Sequence, residues 1–357
     1  MTLAVTETSD AAAEACVSRS ISHLQQPTFL PERGEFDLAI ALRHAGSRTV
    51  RVRWQRLGNP AAPTVVVQGG ISADRNAGGV AADCNAAAFA EDAVPGWWEA
   101  QVGSGRAIDS KHLQVLSIDW IGSDGTLDAP IDTADQADAI AAVLDRLRIA
   151  RIAAFVGCSY GALVGLQFAA RYPTRLHKLI AISGAHRPHP YASALRALQR
   201  KVVALGQLQC ADELGLSLAR QLAMLTYRTP EEFEQRFTAD TVLDGAHARC
   251  AAEDYLEACG ARYAERWSPT AFLRLSESID LHRVDPACIT VPTTLVAAHG
   301  DRLVPPEDVH ALAERTTAPT RVHVLRSLYG HDAFLKEVVP VAAILREALA
   351  DLVGGAA

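Results

Sequence analysis

The 357-residue chain carries 41 acidic against 34 basic residues, a formal net charge of -7, with 49% apolar and 21% charged residues. This composition describes an ordinary globular protein with enough apolar residues for a sizeable core, and argues against disordered, fibrous and membrane-spanning classes. Lys and Arg are scattered rather than gathered into a stripe, which argues against a nucleic-acid partner.

Residues 1–35 read as a polar, Ala-rich lead-in to which no function is assigned. Met1 to Arg19 holds Glu7, Asp10 and Glu14, with neither a basic n-region nor a long apolar run, so a cytoplasmic location is expected. Short β-rich runs follow at Phe36 to Leu42, Thr49 to Trp54, Thr64 to Gln68 and Leu113 to Asp119. Further runs lie at Ile152 to Val156, Leu179 to Ser183, Thr293 to Ala298 and Val322 to Leu325. The later ones alternate with amphipathic helices. The clearest helix starts at Thr133, read as its cap with Gln136 reaching back, and shows an apolar face of Ile140, Val143, Leu144 and Leu147.

Strands alternating with helices predict an α/β fold, a mostly parallel sheet covered on both faces. Between Ser183 and Val291 the strand signal disappears, and Ser193 to Gly206, Leu214 to Thr226 and Ala251 to Ala264 read as helices. The expected organisation is a core of residues 36–185 and 291–357, with residues 186–290 forming a helical cap at the carboxyl edge of the sheet. The seven cysteines, Cys16, Cys84, Cys158, Cys210, Cys250, Cys259 and Cys288, lack any C-x-x-C spacing and are expected to be buried free thiols. Neither cysteines nor histidines show metal-ligand spacing, so no metal is expected.

The run Ile152 to Val156 enters Gly157-Cys158-Ser159-Tyr160-Gly161 and then a helical segment, which is G-x-S-x-G in its strand-turn-helix setting. The turn is too sharp for side chains at either glycine, and it lifts the Ser159 hydroxyl to the start of a helix whose dipole favours negative charge. A serine hydroxyl needs a base, and the base needs a carboxylate to hold its tautomer. Asp301 follows the strand Thr293 to Ala298, and His331 follows Val322 to Leu325, each at a carboxyl end and in the chain order expected for a serine elbow on such an α/β sheet. Asp280 and Asp285 lie in the insertion and do not follow a strand, while His189 and His282 read as surface or cap histidines. For an oxyanion hole, the amide of Tyr160 and one from Gly69-Gly70-Ile71-Ser72, nearest Ile71, are the candidates.

Gly330-His331-Asp332-Ala333-Phe334-Leu335, with Pro95-Gly96-Trp97-Trp98, Gly105-Arg106-Ala107-Ile108-Asp109 and Asp301-Arg302-Leu303-Val304-Pro305-Pro306, resembles the homoserine O-acyltransferase family of the α/β-hydrolase fold. The similarity runs from about Phe36 to Leu349. It implies that an acyl group passes from coenzyme A to Ser159 and then to the hydroxyl of L-homoserine, in methionine biosynthesis. Acyl-CoA is then a substrate, and no cofactor is needed. The segment Leu218 to Tyr227 matches the family's amino-acid-binding helix, pointing to Arg220 for the acceptor carboxylate and Asp332 for its ammonium group. Family members are commonly homodimers joined through the helical insertion.

The chain departs from the family pattern at the elbow, which is Gly-Cys-Ser-Tyr-Gly where many relatives have Gly-Gly-Ser-Met-Gly. It departs again at Gly69 to Ser72, which replaces Leu-Thr-Gly. The donor stays open between succinyl-CoA and acetyl-CoA. Leu303 stands where some succinyl-using relatives carry an arginine, whereas Ser183-Gly184-Ala185-His186-Arg187-Pro188-His189-Pro190 is similar to a succinyl-using subgroup, in which Arg187 or Arg302 would serve. The balance favours succinyl. Serine as acceptor, differing by one methylene, and ester hydrolysis are the alternatives.

Overall fold

The computed structural model describes residues 29–78 and 95–353. Most of the lead-in, with Cys16, and also Cys84 lie outside the described residues. An eight-stranded sheet forms from β1 (Glu32–Leu42), β2 (Gly46–Gly58), β3 (Thr64–Gln68), β4 (Gln114–Ile118), β5 (Ile152–Cys158), β6 (Leu176–Ile182), β7 (Thr293–Ala298) and β8 (Thr320–Leu325). Its order is β1-β2-β4-β3-β5-β6-β7-β8. The β1–β2 and β2–β4 pairs are antiparallel and the rest are parallel. β1 starts earlier than the expected Phe36, because Glu32 to Glu35 continue the ladder opposite Arg56 to Arg53.

Period-two alternation sends successive side chains of the parallel strands into two separate cores. Val66, Leu116, Phe155, Leu179 and Leu295 pack on one face, against Ile140, Val143 and Leu144 of α1 (Thr133–Arg146) and Val164 and Phe168 of α2 (Tyr160–Arg171). Val65, Val67, Val115, Val156, Ile180 and Val296 pack on the other, against Leu345 and Leu349 of the C-terminal helix Val338–Val353. Both faces are therefore covered, which is why these strands read as short apolar runs rather than as alternating ones.

The cap of α1 differs from expectation. Asp132 is the N-cap, accepting the Ala134 amide at 2.9 Å, and Asp135 accepts the Asp132 amide at 2.7 Å. Gln136 instead closes a two-way bond with the backbone of Ile121, both arms at 3.0 Å. Thr133 points its hydroxyl at His282.

Between β6 and β7 lie α3 (Pro190–Leu208), α4 (Asp212–Tyr227), α5 (Pro230–Arg236), α6 (Ala251–Ala264) and α7 (Pro269–Leu281). α3 and α4 approach so closely that a Cβ on Gly206 would lie 2.7 Å from the Gly215 Cα. Val203, Leu216, Ala219, Tyr263 and Phe272 form a separate small core there. A two-stranded ribbon, Thr241–Asp244 paired with His247–Cys250, interrupts the segment where only helices were expected. Its first strand is exposed throughout, so neither periodicity nor a buried face marked it.

His282, read as a surface or cap histidine, lies at the end of the cap segment and is fully buried. Its Nε2 faces the Ala185 carbonyl at 3.1 Å and its Nδ1 the Thr133 hydroxyl at 2.7 Å. The Val284 amide also donates to the His186 carbonyl at 3.0 Å. The two ends of the insertion are thus stitched to each other and to α1. Of the described cysteines only Cys158 is buried; Cys210 and Cys288 are exposed, contrary to expectation. No described helix is long and apolar enough to cross a membrane.

Candidate active site

The elbow between β5 and α2 puts Ser159 at φ 54°, ψ -117°, a strained conformation for a residue with a side chain. The strain is held by the surroundings. The Ser159 amide donates to the Ile182 carbonyl at 2.8 Å and the Gly161 amide to the Gly69 carbonyl at 2.9 Å. A Cβ on Gly157 would collide with the Gly161 carbonyl, and one on Gly161 with the Gln68 carbonyl, so both glycines are sterically required. Cys158 beside the nucleophile is fully buried, and that burial pushes its thiol well up, leaving it neutral.

The loops after β7 and β8 bring the other two residues to Ser159. Ser159 Oγ lies 2.7 Å from His331 Nε2, and His331 Nδ1 lies 2.7 Å from Asp301 Oδ2. A carboxylate can only accept, so Nδ1 carries the proton and Nε2 is left to receive the serine's. Asp301 Oδ1 accepts the amides of Leu303 and Val304, both at 2.9 Å, which fixes the carboxylate. Burial alone would lower the His331 pKa, but the charge and hydrogen bond of Asp301 outweigh it and hold the pKa above the ordinary histidine value.

Ser159 and His331 open onto a cavity of about 350 Å³ that Ile71, Arg220, Tyr227 and Asp332 also line. Gly70 stands beside the nucleophile, a Cβ there lying 3.8 Å from the Ser159 Cβ. Its carbonyl accepts Trp120 Nε1 and the Ala73 amide, both at 3.0 Å. In a trans peptide this aims the Ile71 N–H the opposite way, free of that pairing. The Tyr160 amide, at the first residue of α2, has no partner one turn back within the helix.

The Arg220 guanidinium lies over the rings of Tyr227 (5.4 Å) and Tyr263 (4.8 Å), and among the described residues it forms no ion pair. A half-buried cation on a cavity wall without a carboxylate partner has the charge to receive an anion. Asp332 lies on the same cavity, and burial raises its pKa despite Arg228 beside it. Of the two arginines considered for an acyl carboxylate, Arg187 lines the cavity, 3.5 Å from Asp308. Arg302 is exposed and not on its wall. Two cavity arginines had no local sequence signal. Arg196 is held by Asp280 at 2.6 Å, which also binds Arg200 at 2.7 Å, and Arg228 is held by Asp332 at 2.9 Å. Among the described residues no cluster of His, Cys, Asp or Glu is placed to hold a metal.

A strained serine at a strand-helix elbow, hydrogen-bonded to a histidine that a carboxylate orients, is the arrangement that nucleophilic serine enzymes of the α/β-hydrolase fold use. The family model for the alpha/beta hydrolase fold matches residues 91–338. A homoserine O-succinyltransferase from Xanthomonas campestris is 57% identical over 89% of this chain and 84% of its own. A serine O-succinyltransferase from Frateuria aurantia is 30% identical, covering 82% of this chain and 90% of its own. The crystal structure of homoserine O-acetyltransferase from Bacillus anthracis superposes with a TM-score of 0.78, over 89% of this chain and 97% of that one, at 15% identity, a likeness of fold alone. The chain therefore belongs to the homoserine O-acyltransferase family of the α/β-hydrolase fold, and it is an acyltransferase.

Proposed function

We propose that this enzyme transfers the succinyl group of succinyl-CoA to the hydroxyl of L-homoserine, in the cytoplasm and as a step of methionine biosynthesis. The observation that carries the reading is the 57% identity to a homoserine O-succinyltransferase, together with Ser159, His331, Arg220 and Asp332 on one cavity. Acyl-CoA is a substrate, and no cofactor takes part.

In the first half-reaction Ser159 Oγ attacks the thioester carbonyl as His331 Nε2 takes the hydroxyl proton. The amides of Tyr160 and Ile71 face the oxyanion. The tetrahedral intermediate collapses with cleavage of the C–S bond, and His331 returns the proton to the departing sulfur, releasing free coenzyme A. In the second, His331 takes the proton of the homoserine hydroxyl, whose oxygen attacks the acyl-serine. Collapse breaks the ester to Ser159, which recovers the proton from His331. Arg220 binds the acceptor carboxylate and Asp332 its ammonium group, so the hydroxyl is delivered to the acyl carbon in preference to water.

The 57% identity to a homoserine O-succinyltransferase favours succinyl over acetyl as donor, since a homoserine O-acetyltransferase from Geobacter metallireducens is 30% identical. Serine as acceptor is supported only at 30% identity. A homodimer is the quaternary state we propose, supported by an apolar stripe on the cap. Tyr191, Leu198 and Leu205 recur every seventh residue of α3, Leu214, Leu218, Leu222 and Leu225 follow helical spacing on α4, and all are exposed.

The test is release of coenzyme A thiol from succinyl-CoA and acetyl-CoA, each with homoserine, serine or water, and with Ser159→Ala as control. Release from succinyl-CoA that needs homoserine and Ser159 is expected. Equal release with water alone would mean a hydrolase and overturn the reading. Arg220→Ala should raise the homoserine KM by about 100-fold, with acyl-CoA consumption in the first half-reaction retained.

A further inference from the structure

The end of α4 and the turn into α5, Tyr227-Arg228-Thr229, press on both loops that carry the triad. The Tyr227 ring stacks on His331, with centroids 6.0 Å apart. Thr229 donates its hydroxyl to the Leu328 carbonyl, and its methyl would lie 3.1 Å from a Cβ on Gly330 and 3.4 Å from one on Gly300. Between them Arg228 reaches two carboxylates. Its Nε lies 2.9 Å from Asp332 Oδ2, an ionic contact without hydrogen-bond alignment, and its Nη1 hydrogen-bonds Glu232 Oε1.

All three groups are nearly out of water, with side chains 9%, 8% and 12% exposed for Arg228, Glu232 and Asp332. One cation thus serves two buried carboxylates, and Glu232 Oε2 has no hydrogen-bond partner. Among the described residues the Asp332 carboxylate accepts no hydrogen bond, so Arg228 is the group that holds it. A buried carboxylate without a cation tends to protonate rather than stay charged, and a protonated Asp332 would offer an ammonium group no opposite charge.

We propose that Arg228, itself held by Glu232, is a positioning residue for the acceptor, fixing the Asp332 carboxylate in the orientation that receives the acceptor's ammonium group. It does not touch the reacting atoms, and it ties acceptor recognition to the loop that carries His331. This rests on the assignment of Asp332 to the ammonium group made above.

The experiment compares homoserine with 4-hydroxybutyrate, which keeps the hydroxyl and carboxylate but lacks the ammonium group. It uses wild type, Asp332→Asn, Arg228→Met, Arg228→Lys, Glu232→Gln and the Arg228→Met/Asp332→Asn double variant. Labelling of Ser159 by a fluorophosphonate is followed in parallel. Arg228→Met should lower the homoserine preference in kcat/KM at least tenfold, mainly through KM, with the labelling rate held within about twofold. Arg228→Lys should restore part of the preference, and the double variant should be no worse than Asp332→Asn, the non-additivity of groups acting as one. If Asp332→Asn loses the preference while Arg228→Met keeps it, or if the two losses add, the proposal is overturned. Loss of Ser159 labelling together with loss of the preference would likewise overturn it, showing a structural role. Should Arg228→Met fail to fold, Arg228→Lys and Glu232→Gln carry the same test: an unchanged preference in both would refute the proposal. If Asp332→Asn itself leaves the preference intact, the assignment of Asp332 has failed, and the proposal with it.

Discussion

Replacing His282 with Gln tests whether the seam between cap and core depends on a neutral buried histidine. His282 donates from Nε2 to the Ala185 carbonyl and accepts the Thr133 hydroxyl at Nδ1, and burial pushes its pKa down from 6.5 to about 4. A folded-state pKa below the unfolded one means that protonation favours unfolding. The contribution of His282 is therefore fully present above pH 6.5 and is lost as pH falls towards 4. At pH 5 the loss is about 2 kcal/mol for pKa values of 6.5 unfolded and 4 folded. At pH 7.5, His282→Gln should cost about 1 to 3 kcal/mol, because a glutamine cannot satisfy both partners with the same geometry. Urea unfolding of both proteins at pH 7.5 and pH 5 gives the difference directly, and His186 and the carboxylates titrate in both and cancel. The gap should narrow by about 2 kcal/mol at the lower pH. A gap that is the same at both would refute a neutral, charge-excluding seam.

The raised pKa of His331 sets the acid limb of activity. Since His331 must be neutral to accept the Ser159 proton, kcat/KM should fall as pH drops through a value above that of free histidine. Asp301→Asn removes the carboxylate that raises it, so the limb should move to lower pH while the plateau falls by about 10⁴-fold; a limb that stays in place would refute this. Gly161→Ala drives a Cβ into the Gln68 carbonyl and should destabilise the protein by about 3 kcal/mol or more, measured by urea unfolding, with activity lost. Near-wild-type stability would show that the elbow is not strained as described. Leu218→Asp with Leu222→Asp puts charge into the exposed cap stripe and should shift sedimentation from dimer to monomer. A dimer that persists would place the interface elsewhere.

Much of the site was legible because its signals are local. Gly157 and Gly161 flank Ser159 at a strand-to-helix junction; Asp301 follows the buried strand β7 by three residues, and His331 follows the edge strand β8, of which only Leu325 is buried, by six. A sheet edge collects whatever lies at the carboxyl ends of its strands, so chain order was enough to bring three distant residues together. Arg220 and Asp332 were reached through resemblance, since a helix arginine and a loop aspartate carry no signal of their own.

The rest depended on pairings that sequence spacing does not encode. His282 reads as one more cap histidine, and only the docking of the cap buries it between Thr133 and Ala185, 149 and 97 residues away. Helix capping went to Asp132 and Asp135 rather than Thr133 and Gln136, because the buried Ile121 backbone and His282 claimed those side chains first. Arg228 and Glu232 look like an ordinary i, i+4 surface pair until Asp332 arrives from the β8 loop. The sequence by itself determined the strands, the elbow and the triad, whose requirements are met within a few residues of chain. Only the tertiary structure decided which buried charges meet, because a polar side chain out of water takes the partner that long-range packing brings within reach.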